Sequence, residues 1–109
     1  MSQKLFCAVL GPKSSVFGFS AVGFKVFYAD DAQSCEKALS SLVSSGEYAV
    51  IYITETLAQQ IDDKMRTYTN MSLPAIIPIP DKLSGGYAIK SIKKSVERAV
   101  GSDILFKDK

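Results

Sequence analysis

Leu73-Pro74-Ala75-Ile76-Ile77-Pro78-Ile79-Pro80 is an apolar run in which prolines fill three of the four positions of a period-2 series. In a strand, alternate residues turn their backbone N–H to the same side, so Pro74, Pro78 and Pro80 remove donors from one edge. That edge cannot pair with a further strand. The segment is therefore predicted to be the outermost strand of a sheet, guarded against edge-to-edge association, with the remaining strands drawn from the residues before it.

Working outward, apolar runs alternate with helical patterns. Leu5-Phe6-Cys7-Ala8-Val9-Leu10 reads as a strand stopped at Gly11-Pro12, and Lys25-Val26-Phe27-Tyr28-Ala29 as a second stopped at Asp30-Asp31, with a short helix at most between them. Ala32 to Ser45 places Cys35, Ala38, Leu39, Leu42 and Val43 at helical spacing, behind acidic residues and ahead of Gly46, a natural C-terminal stop. Tyr48-Ala49-Val50-Ile51-Tyr52-Ile53 has the composition of a fully buried central strand. Thr54 is placed to cap the next helix, whose stripe is Leu57, Ala58, Ile61 and Met65. After the proline-edged strand come a loop from Asp81 to Tyr87 and a last helix from about Ala88 to Val100, with Ile89, Ile92, Val96, Ala99 and Val100 on one face. This alternation predicts a doubly wound α/β fold: an open, parallel, four-stranded sheet in the order 2-1-3-4, with helices on both faces. Residues 1–80 form the sheet body, and residues 81–109 add a loop, a C-terminal helix and a tail to the same single domain.

Composition narrows the functional classes. A chain of 109 residues, 47% apolar and 22% charged, is ordinary globular usage and can bury roughly 65% of its unfolded surface without metal or disulfide. The net charge is only +2, and the basic residues are not interleaved with aromatics, so no nucleic-acid partner is indicated. No apolar run approaches a membrane span, and Met1-Ser2-Gln3-Lys4 leads into a strand rather than a signal peptide, so a cytosolic location is expected. Cys7 and Cys35 fall on apolar positions and read as core thiols; with no histidine, zinc and general-base readings lose their usual residue.

An open sheet of this type binds ligands beyond the carboxyl ends of its strands at the switch point, here the turns after Leu10 and Ile53. Gly11-Pro12-Lys13-Ser14-Ser15 offers serines that cap the following helix or, in the alternative reading, join Thr54 in a small-ligand or phosphate site. Gly18 and Gly23 have phosphate-loop spacing, but Phe24-Lys25 stands where Lys-Ser/Thr is required. A phosphoacceptor domain would need acids after the first strand and an aspartate after the third, where this chain has Thr54. Neither cysteine stands at a strand's carboxyl end, and Glu47 and Glu55 bracket a buried strand roughly 18–20 Å long, too far apart for paired carboxylate catalysis. No catalytic residue, cofactor or metal is assigned.

The surplus apolar surface lies at the end of the chain. Ile104-Leu105-Phe106 follow the expected helix stop at Gly101, and the last helix bears Lys90, Lys93, Lys94 and Arg98 against Glu97 alone. From Asp81 onward seven Lys or Arg face four Asp or Glu, whereas the first eighty residues carry six against seven. Two readings stay open: a solvated helix face with a frayed tail, its apolar residues free or folded back on the sheet, and a docking element in which Val100, Ile104, Leu105 and Phe106 anchor while Lys93, Lys94 and Arg98 set register at the rim of an acidic-edged partner.

Taken in order, Gly11, Gly18-Phe19 and Gly23, then Tyr48 through Glu55, then Leu73 through Pro80, then Ser95-Val96-Glu97-Arg98-Ala99-Val100-Gly101 with Ile104-Leu105, resemble the F subunit of the V-type/A-type rotary ATPases over nearly the whole chain. The resemblance implies a small doubly wound domain in the central rotor stalk, clasped to the D subunit, the coiled-coil shaft. The catalytic A and B subunits and the rotor-side C/d subunit would be its neighbours, at the cytoplasmic periphery of the membrane. It implies a non-catalytic protein that supports coupling of ATP turnover to proton or sodium transport, with the C-terminal helix and tail in docking or regulation. The chain departs from the family at Pro12-Lys13, where acidic residues are common, and at Ser20, where a basic residue is common. A small-ligand or phosphate-binding module, or a regulatory domain of another assembly, is the competing reading.

Overall fold

Local sequence signals set most element boundaries in the computed structural model, which describes residues 5–68, 74–81, 94 and 104–105. Strand β1 (Leu5–Gly11) leads through Pro12 into a single helical turn, α1 (Lys13–Val16), and a 3-10 helix (Phe17–Val22) that ends at Gly23. Gly23 has φ 97°, left-handed backbone that favours glycine. β2 (Lys25–Tyr28) follows, and then α2 (Ala32–Ser45), whose ends are where the sequence put them. Asp31 caps α2 by accepting from the Ser34 N–H at 2.8 Å, and Gly46 closes it at φ 71°.

β3 (Tyr48–Thr54) is buried at all seven positions, as a central strand covered on both faces must be. The helix expected next is interrupted: α3 (Glu55–Gln60) and α4 (Asp62–Tyr68) meet at Ile61, whose φ −117° and ψ 34° leave the helical region. The Ile61 N–H is shared between the carbonyls of Leu57 and Ala58, and the Met65 N–H then restarts the ladder on the Ile61 carbonyl. The apolar stripe survives the break, with Leu57, Ala58 and Ile61 buried and Met65 half-buried. β4 (Ala75–Ile79) pairs with β3 and ends the sheet.

The strand order is β2-β1-β3-β4, all parallel, the doubly wound arrangement the sequence predicted. Pro78 lies inside β4 opposite Ile53, while Pro74 and Pro80 flank the strand. The structure adds a fifth strand, β5 (Ile104–Leu105), parallel to β1 with Ile104 opposite Leu5 and Leu105 opposite Phe6. β2 reaches only Ala8 to Gly11, so the lower part of β1 has an edge to spare.

Side chains alternate between two cores. On one face Cys7 and Val9 pack with Val16, Phe19 and Phe24 from the β1–β2 connection. On the other, Ala8, Leu10, Ile51 and Ile53 pack against α2 and α3. Phe19 and Phe24, both fully buried, meet edge-to-face with ring centroids 5.2 Å apart. Truncating Phe19→Ala is expected to lower stability by about 3–5 kcal/mol through the cavity it opens, read as a drop in urea midpoint with unchanged slope.

Candidate functional site

The switch point lies between the carboxyl ends of β1 and β3, where Gly11 and Thr54 face each other. It is closed by the protein's own atoms. A Cβ built on Gly11 would stand 2.6 Å from Thr54 Cγ2 and 3.1 Å from Val16 Cγ1, so the absent side chain is what lets the two strand ends approach. Thr54 is 1% exposed and fills the space a ligand would enter.

The polar groups nominated for this crevice make no capping bond to the helices that follow. Ser14 and Ser15 do not cap α1: Pro12 holds the N-cap position without a side-chain bond, and both serines lie within the turn, with the Ser15 N–H donating to the Pro12 carbonyl at 2.9 Å. Thr54 stands at the N-cap of α3 but makes no capping bond, because its side chain packs toward Gly11; its Oγ1 is buried and unpartnered. The first turn of α3 is satisfied from a distant part of the chain. Asp81, just past β4, accepts from the Thr56 N–H at 3.0 Å and from the Thr56 hydroxyl. These bonds hold the Asp81 carboxyl below the usual aspartate range. Sequence reading missed this pair, since its members are 25 positions apart; a carboxylate immediately after the last proline was the available signal.

The two thiols are structural. Cys7 and Cys35 are fully buried, and burial, then Glu36 and Asp31, push the Cys35 thiol up to about 11, so it stays protonated. Tyr52 is likewise pushed up to about 12, by burial first and Cys7 second. The surface carries a shallow cleft of about 230 Å³ beside β4, floored by Ala58, Met65 and Pro78 and edged by Glu55, Gln59 and Asp62. It is smaller than the usual small-molecule site of about 300 Å³ or more. Phe17, Tyr28 and Ile77 are the large apolar residues left exposed among the described residues, and no described helix is long and apolar enough to cross a membrane.

Of the docking residues nominated from the sequence, Lys94 is helical and exposed, and Ile104 and Leu105 form β5. Lys93, Arg98, Val100 and Phe106 lie outside the described residues, as do Lys90 and the rest of the expected loop and last helix apart from Asp81 and Lys94.

Residues 7–99 match the ATP synthase (F/14-kDa) subunit family. The chain belongs to that family. Among its F-subunit relatives, the V-type ATP synthase F subunit of Fusobacterium nucleatum is 37% identical over 99 residues, covering 90% of this chain and 93% of the relative. That of Clostridium perfringens is 39% identical over 99 residues, covering 89% and 92%. The A-type ATP synthase F subunit of Pyrococcus abyssi is 36% identical over 101 residues, covering 88% and 94%. An F-subunit domain of this kind thus joins an open α/β sheet of ligand-binding type to a switch point packed shut.

Two expectations follow from the site. Replacing Thr54→Val keeps the packing against Gly11 while removing a buried, unpartnered hydroxyl, and should raise unfolding free energy by about 1 kcal/mol in urea titration. Asp81 has a lowered folded pKa, so its contribution is present above the unfolded carboxylate value of about 3.9 and is lost as pH falls through the folded value. The stability gap between the native chain and Asp81→Asn should therefore be widest near about pH 6 and close toward about pH 2, followed by thermal unfolding across pH.

Proposed function

We propose that this F subunit acts as a non-catalytic element of the central rotor stalk of a V/A-type ATP synthase, gripping the D subunit, the coiled-coil shaft, and supporting the coupling of ATP turnover to proton or sodium movement. The closed switch point carries this reading: the crevice where sheets of this class hold a ligand is filled by Thr54 against Gly11. What remains is a stiff body with a basic C-terminal segment. In a rotor that combination serves to brace and to grip, and the work of catalysis falls to the A and B subunits beside it. The C/d subunit is its neighbour on the rotor side, and the assembly places it at the cytoplasmic periphery of the membrane.

Within this reading residues 1–80 are the brace and residues 81–109 the grip. Val100, Ile104, Leu105 and Phe106 supply apolar anchorage, while Lys93, Lys94 and Arg98 set register at the rim. The β5 pairing joins Ile104 and Leu105 to the edge of β1 through the backbone.

Burial of Leu105 and Phe106 is worth about 2 kcal/mol each, against under about 1 kcal/mol for a single rim charge. The double change Leu105→Ala with Phe106→Ala is expected to weaken binding to the purified shaft protein, measured by calorimetry, more than Lys93→Glu does. The opposite ranking would overturn the anchor assignment, and saturable binding of phosphate or nucleotide by the isolated chain would count against the stalk reading itself.

A further inference from the structure

The chain makes one kind of capping contact twice. At α2, Asp31 accepts from the N–H and the hydroxyl of Ser34, each at 2.8 Å and only three positions along the chain. At α3, Asp81 accepts from the N–H of Thr56 at 3.0 Å and from its hydroxyl, across 25 positions. Both carboxylates satisfy donors that a first helical turn leaves without a partner. Their consequences differ. The Asp31 contact closes within one turn and ties nothing else, whereas the Asp81 contact ties the start of α3 to the place where the chain leaves β4.

That exit is restrained at three successive residues. Ile79 is buried and paired opposite Thr54, Pro80 has its φ locked by the ring, and the Asp81 carboxylate is held by Thr56. The register explains why the last two meet: with Ile79 beside Thr54, a step of two residues along each chain brings Asp81 to Thr56. The contact lies at the surface, where water competes for both donors, so its share in global stability is small. Its effect on conformational freedom is not. A binding segment that starts from a restrained point has less freedom left to lose when it binds.

We infer that Asp81 is a positioning residue for docking: by holding Thr56 it sets the point and direction from which the chain beyond residue 81 leaves the sheet body, and so strengthens the grip on the shaft without touching it. The contact is a property of the chain alone; its role in gripping rests on the stalk reading above. Asp31 supplies the matched comparison, since it has the same chemistry at a helix start and no chain exit to restrain.

Two measurements on the full chain test this. Amide hydrogen exchange at Thr56 in the chain alone reads the contact, because the second residue of α3 has no acceptor within its own helix. Calorimetric binding to the purified shaft protein reads the role. Asp81→Ala should speed Thr56 exchange and weaken binding about three- to tenfold. Thr56→Val should also weaken binding, Thr56→Ser should retain native affinity, and Thr56→Val should add nothing once Asp81→Ala is present. Asp31→Ala should leave affinity unchanged. Thr56 exchange as fast in the native chain as in Asp81→Ala would overturn the contact. Native affinity in Asp81→Ala, full additivity of the two changes, or an equal loss from Asp31→Ala would overturn the positioning role while leaving the stalk reading intact. Absence of any complex between the native chain and the shaft protein would sink the stalk reading and this role with it, and leave the Thr56 protection standing.

Discussion

The pairing of β1 with β3 is the constraint on which the other elements depend. Cys7 through Leu10 lie against Val50 through Ile53, and these eight residues are all buried. A parallel pair with both faces covered has no solvated side, so every side chain along it must be apolar and every backbone group must find its partner in the ladder. β2 and β4 then extend a sheet whose centre is already fixed, and the helices are set by which face each crossover must cover. The glycine at the end of β1 completes the arrangement, because any larger residue there would push the two central strand ends apart.

That same close approach decides the chemistry. In a sheet of this topology the two central strand ends bracket the place where a ligand is held, and its character depends on which side chains reach it. Here a threonine methyl and a valine reach it, the hydroxyl is left without a partner, and the following helix borrows a carboxylate from beyond β4. The fold alone argued for a binding protein. The residues at its switch point close the place where a small ligand would sit, and function is read from the residues.

How much the sequence disclosed depended on how local each signal was. α2 was legible to the residue because Asp31 and Gly46 carry strong capping chemistry on either side of a regular stripe. The edge position of β4 was legible because a missing N–H is a property of the residue itself. The break at Ile61 was not, since isoleucine carries no mark of a helix end and the stripe continues through it. β5 escaped for another reason: two residues make no period, and their pairing depends on β2 being too short to cover the lower end of β1. At the candidate site, the sequence found the right turns but gave Thr54 and the two serines capping bonds that none of them makes. The Asp81–Thr56 contact exists only once the fold has brought β4 beside α3.

The same contact has a mechanical side. Tension on the chain beyond residue 81 does not fall on β4 alone, because the Asp81 carboxylate hands part of it to the first turn of α3. The share that stays in β4 acts along a ladder of parallel bonds to β3 running from Ala75 to Ile79. Bonds loaded lengthwise must yield together, whereas bonds at a free end can be opened one at a time. The exit of the chain from the sheet is thus built as a shear joint with a second fastening.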